Sequence, residues 1–136
     1  MSWLLDTNVL SELRKGAKCD PQVRQWAVTS ALNRHWISVL SVGEIRKGIE
    51  LLRRKSPDQC PAFERWLDSI LTLYDKEILP ITVTVANRWG NLMAVRPLPV
   101  IDGLLAATAL EHNLTLVTRN TADFAQTGVR LHNPFD

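Results

Sequence analysis

Short apolar runs alternate along this chain with longer stretches whose apolar residues recur every three or four positions. Trp3-Leu4-Leu5 reads as a buried strand, and the polar turn Asp6-Thr7-Asn8 opens a short helix that Gly16 closes. Asp20-Pro21 supplies a cap and a first-position proline for a second helix reaching about Leu32. His35 to Leu40 reads as the second strand, after which Ser41 caps a helix running to about Lys55 and stopped by Ser56-Pro57. Phe63, Trp66, Leu67, Ile70, Leu71 and Tyr74 share one helical face. A third strand is expected at Glu77 to Ile81, followed by a Thr82-capped helix bearing Val85, Trp89, Leu92 and Met93. Beyond the stiff connector Arg96-Pro97-Leu98-Pro99, Asp102 to Glu111 reads as a helix, Leu114 to Thr118 as a fourth strand and Val129 to Leu131 as a short fifth. The pattern predicts an α/β fold with a mainly parallel central sheet of four or five strands, flanked by helices on both faces.

Composition narrows the class. At 136 residues, with no internal repeat or low-complexity tract, the chain is expected to form a single domain over 1–136. It is 46% hydrophobic and 22% charged, an ordinary globular balance. No apolar run approaches the roughly 18 residues needed to span a bilayer, and no leader-like segment opens the chain, so a cytoplasmic location is expected and no membrane partner. Cys19 and Cys60 stand apart from each other and from any histidine pair, and read as reduced thiols. A net charge of +2 is compatible with nucleic acid without requiring it.

The candidate chemistry is acidic. Asp6, Glu44, Asp102 and Asp123 all fall at expected strand ends or helix starts, where a parallel sheet forms its ligand crevice. Crowded carboxylates repel, and a hard divalent cation such as Mg²⁺ relieves that repulsion. Each acid also has a plain structural explanation. Asp6 can cap the following helix, and Ser41-Val42-Gly43-Glu44 matches a capping box. Asp102 suits a first helical turn, and Asp123 an Asx-turn. Their shared placement is what favours a joint site.

Other chemistries lack support. The six glycines form neither a phosphate loop nor a dinucleotide fingerprint, and no serine sits in a nucleophile elbow. His35, His112 and His132 are isolated. Asn8 stands where a D-x-D phosphotransferase needs its second aspartate. Arg46, Lys47, Arg53, Arg54 and Lys55 crowd the helix after Glu44, as a solvated face around Glu50 or as contacts for nucleic-acid phosphates; Arg119 and Arg96 are similar candidates.

Four blocks carry a family resemblance. Leu4-Leu5-Asp6-Thr7-Asn8-Val9-Leu10-Ser11-Glu12, Ser41-Val42-Gly43-Glu44-Ile45, Asp102-Gly103-Leu104-Leu105-Ala106-Ala107-Thr108-Ala109 and Leu116-Val117-Thr118-Arg119-Asn120-Thr121-Ala122-Asp123-Phe124 resemble the motifs of PIN-domain ribonucleases, in particular the VapC/FitB toxins of bacterial type II toxin–antitoxin modules. The resemblance runs in order from residue 2 to Asn133-Pro134-Phe135. It implies that Asp6, Glu44, Asp102 and Asp123 form the catalytic quartet, supported by Thr118 and Asn120; Arg46, Lys47 and Arg119 are expected as substrate contacts from their charge alone. It further implies Mg²⁺ or Mn²⁺ held by Asp6, Asp102 and Asp123, with Glu44 orienting water or completing the coordination. RNA is the implied substrate, cut to a 5′-phosphate and a 3′-hydroxyl. The implied partners are a second copy in a homodimer and a cognate antitoxin whose disordered C-terminal tail brings a basic side chain to the acids. The alternatives are a catalytically silent binding module and a solitary RNA-processing nuclease without an antitoxin.

Overall fold

The computed structural model describes residues 1–136. Five strands form one sheet: β1 (Ser2–Leu5), β2 (Arg34–Ser38), β3 (Ile78–Leu79), β4 (Thr115–Val117) and β5 (Arg130–His132). They lie in the order β3-β2-β1-β4-β5, with every neighbouring pair parallel. The order reverses between β1 and β4. In an open parallel sheet that reversal leaves a crevice beyond the carboxyl ends of the two strands.

Alternation along the central strand builds two cores. Leu4 and Leu116 face a cluster with Leu105, Ala106 and Ala109, while Leu5, Ile37 and Val117 face another with Val9, Leu10, Trp26 and Ile70. The first cluster is covered by α6 (Val100–Glu111), against which α5 (Val83–Val95) packs. The second is covered by α1 (Thr7–Leu13), α2 (Pro21–Thr29) and α4 (Cys60–Leu73), and α3 (Val39–Lys55) joins α4 through Ile45, Ile49 and Leu67. The sheet therefore carries helices on both faces. Leu4 and Leu5 are each wholly buried, a state that stabilises by about 1.5–3 kcal/mol per side chain. Truncating either to alanine costs about 2–5 kcal/mol.

The sequence misplaces several boundaries for identifiable reasons. The second strand ends at Ser38, whose hydroxyl accepts from the Leu40 N–H at 3.0 Å and caps α3, so Val39 and Leu40 are helical rather than extended and Ser41 lies inside the helix. Val100 and Ile101 open α6 from Pro99, two residues before the expected start at Asp102. The second helix stops at Thr29 and leaves Leu32 fully exposed, because no core lies beyond it. Gly16, at φ +58, sits in a separate 3-10 turn, and Arg14 ends α1. No single helix is long and apolar enough to cross a membrane.

Candidate active site

Asp6 stands where β1 gives way to α1. Its N–H continues the pairing with β4 by donating to the Val117 carbonyl at 2.9 Å, and its extended backbone places the side chain as the helix cap. Oδ1 accepts from the Thr7 N–H at 2.7 Å; Oδ2 accepts from Thr118 Oγ1 at 2.9 Å and from Asn8 Nδ2 at 3.4 Å. The Thr118 hydroxyl is fully used: it donates to Asp6 and accepts from Asn8 Nδ2 at 3.2 Å and from the Asn120 N–H at 3.1 Å. Asn8 also accepts from the Arg119 N–H at 3.2 Å. This knot fastens the carboxyl end of β1 to that of β4, at the crevice.

Glu44 reaches the same region from α3. It lies six residues past the cap, so the capping box is not formed. Its Oε1 accepts from Thr7 Oγ1 at 2.7 Å, and Thr7 Oγ1 is 2.9 Å from the buried Ser41 Oγ. Asp102 occupies the first turn of α6, and Asp123 a 3-10 turn over Thr121–Phe124 in which its N–H donates to the Asn120 carbonyl.

Electrostatics ties the four acids together. Burial pushes the Asp6 carboxyl above its ordinary value; the Thr118 and Thr7 hydrogen bonds oppose that rise, and the Glu44 charge adds to it. Asp102 is raised first by burial, then by the charges of Asp6 and Asp123. Burial combined with neighbouring like charge is also the arrangement by which catalytic sites shift carboxyl pKa values. The carboxylates do not close into a ready-made cage of three ligands. Magnesium does not need one: it is held by one or two carboxylates and keeps several waters, so the all-oxygen donor set fits it.

The basic candidates differ in kind. Arg46 is ion-paired with Glu64 at 2.8 Å and Glu50 at 3.2 Å, in an exposed network that also holds Arg53. Lys47 lines a groove of about 520 Å³ with Val39, Leu40, Gly43, Glu44 and Ile101, on the Glu44 side of α3. Arg119 lays its guanidinium over Phe135, 4.4 Å from the ring centroid. Thr7 and Asn8, which the sequence marks only as a polar turn, and Ser41, which it marks only as a helix cap, join the site through their side chains. Gly103 was also missed: a Cβ there would stand 2.7 Å from Met93 Sδ and 2.9 Å from Trp89 Nε1.

With this geometry in view, comparison with known proteins is decisive, because the PIN domain family model matches residues 3–129. The chain belongs to the PIN domain family. Toxin FitB of Neisseria gonorrhoeae is similar to this chain, 33% identical over 137 residues, with 97% of each chain covered. The VapC ribonuclease Y4jK of Sinorhizobium fredii is 29% identical, covering 98% of this chain and 97% of its own. The crystal structure of FitAcB from Neisseria gonorrhoeae contains a chain that superposes with a TM-score of 0.85 at 33% identity, covering 98% of both.

Proposed function

We propose that this PIN domain is a metal-dependent endoribonuclease and the toxin of a toxin–antitoxin pair. The observation that carries the reading is the half-buried Asp6 carboxylate held by Thr7, Asn8 and Thr118 at the β1–β4 crevice, with Glu44 joined to it through Thr7. The ribonuclease and toxin names of the relatives support it across nearly the whole chain. Asp6, Asp102 and Asp123 would hold the ion, Mg²⁺ or Mn²⁺, which when bound supplies Lewis acidity toward water and phosphoryl oxygen. Thr118, Asn8 and the Thr7 N–H favour the ionised form of Asp6 against the cost of its burial. Glu44, exposed and fixed by Thr7, orients water for in-line attack, leaving a 5′-phosphate and a 3′-hydroxyl. Asn120 contributes its backbone N–H to the Thr118 hydroxyl.

The proposed partners are RNA, a second copy of the chain and an antitoxin. Exposed Val39, Leu51 and Ile101 offer apolar surface beside Glu44 for a protein partner. A guanidinium from the antitoxin tail suits the acidic crevice through planar, bidentate bonding. The cytoplasm, where RNA is the substrate and Cys19 and Cys60 stay reduced, is the proposed compartment. The test is cleavage of single-stranded RNA by the purified chain with Mg²⁺, with chelator, and with Asp6→Asn. Activity in Mg²⁺ that chelation and the substitution both remove is expected; parental cleavage by Asp6→Asn would sink the assignment.

A further inference from the structure

We propose that Phe135 and Asn133 are positioning residues that hold the Arg119 guanidinium, on the residue that follows Thr118 of the crevice, as a contact for an RNA phosphate, an inference that rests on the ribonuclease reading. Arg119 directly follows Thr118, and its N–H donates to Asn8, so its backbone belongs to the knot around Asp6. Its side chain is differently employed from those of Arg46 and Arg53. Those two are ion-paired with Glu50 and Glu64, whereas the Arg119 guanidinium lies over the uncharged Phe135 ring, within range of the Glu12 charge but in no ion pair with it. Its N–H donors make no side-chain hydrogen bond within the chain and remain for a phosphate.

The platform is itself anchored. Asn133 Nδ2 donates to the Arg119 carbonyl at 3.4 Å, while Asn133 Oδ1 accepts from the Phe135 N–H at 2.9 Å, so one amide bridges both members of the stack. The Thr118 N–H donates to the His132 carbonyl at 3.0 Å, extending the β4–β5 pairing up to this bridge. Pro134 is buried between them, and Phe135 packs against the core that includes Leu5 and Val117. A long cation therefore loses its rotamer freedom when the chain folds rather than when RNA binds.

The test is anisotropy of a labelled single-stranded RNA oligonucleotide with the full chain in chelator, where cleavage plays no part. Arg119→Gln should weaken binding and flatten the log–log salt dependence by about one unit. Phe135→Leu keeps apolar volume but removes the aromatic face, and should weaken binding by about threefold, the size of an exposed cation–π contact. Phe135→Trp should restore it, and the Arg119→Gln, Phe135→Leu double variant should bind no more weakly than Arg119→Gln alone. Should Phe135→Leu fail to fold by thermal melting, Asn133→Ala opens the same bridge and carries the same expectation. Unchanged affinity in the folded clamp variant, or additive losses, overturns the clamp alone. A parent chain that binds no RNA overturns it together with the ribonuclease reading.

Discussion

Thr118 Oγ1 donates to Asp6 Oδ2 at 2.9 Å, joining residues 112 positions apart at the ends of the two central strands. A hydrogen bond to a charged group contributes about 1.5–3 kcal/mol, enough to offset much of what a half-buried carboxylate loses in leaving water. Thr118→Val keeps the shape and removes the donor, leaving the Asn8 amide and the Asn120 N–H without an acceptor there. Its expected effect is a fall of about tenfold or more in RNA cleavage, the equivalent of about 1.4 kcal/mol. Thr118→Ser, measured in parallel, should retain most activity, and equal loss in both would refute the role of the hydroxyl.

Asp6 and Asp102 both bind a proton more tightly in the folded chain than in the unfolded one. Their charged forms therefore weaken the fold above the folded pKa, and the penalty disappears as pH falls through it toward the ordinary aspartate value of about 3.9. Asparagine caps a helix as well as aspartate does. Asp6→Asn is thus expected to melt at or above the parental temperature near neutral pH, with the advantage shrinking toward about pH 4. A large, pH-independent destabilisation would show that the carboxylate is structural.

Divalent ions should reverse that ordering. An ion that binds only the folded chain adds about 2.7 kcal/mol at one hundred times its dissociation constant. The parent should gain thermal stability with rising Mg²⁺ or Mn²⁺, and Asp6→Asn and Asp102→Asn should gain little. Calorimetric titration gives the same comparison without heating, and equal gains in all three proteins would place the ion elsewhere.

Gly103 permits a close crossing of α5 and α6. Met93 can swing its sulfur aside, but the Trp89 indole is rigid, so Gly103→Ala forces the start of α6 to shift. Overpacking of this kind costs about 1–3 kcal/mol. Because Asp102 is the preceding residue, cleavage should fall more than stability alone explains when assayed well below the melting point. Unaltered activity in a folded variant would show that the crossing has slack.

Much of this was legible in the chain. The parallel alternation, the Thr82 cap, the amphipathic face of α4 and the place of Asp6 at the end of β1 all follow from local pattern, because core-facing period and turn chemistry are written within a few residues. Ser41 shows the limit. Val39 and Leu40 suit a strand end and a first helical turn equally well, and the choice is made by the Ser38 hydroxyl meeting the Leu40 N–H. The Thr7 link to Glu44 spans 37 positions and the Arg46 link to Glu64 spans 18, and neither has a local signature.

The division of Leu4 and Leu5 between opposite cores also governs how this fold can change over time. Adding or deleting one residue within β1 would exchange the two leucines and turn Asp6 away from Thr118, harming both cores and the crevice at one stroke. Residues 96–99, by contrast, form a connector whose lengthening costs little loop-closure entropy. Descendants of such a chain are therefore free to drift in the spacing between their helices, while the few positions from Ser2 to Asn8 act as a fixed ruler against which every other segment is measured.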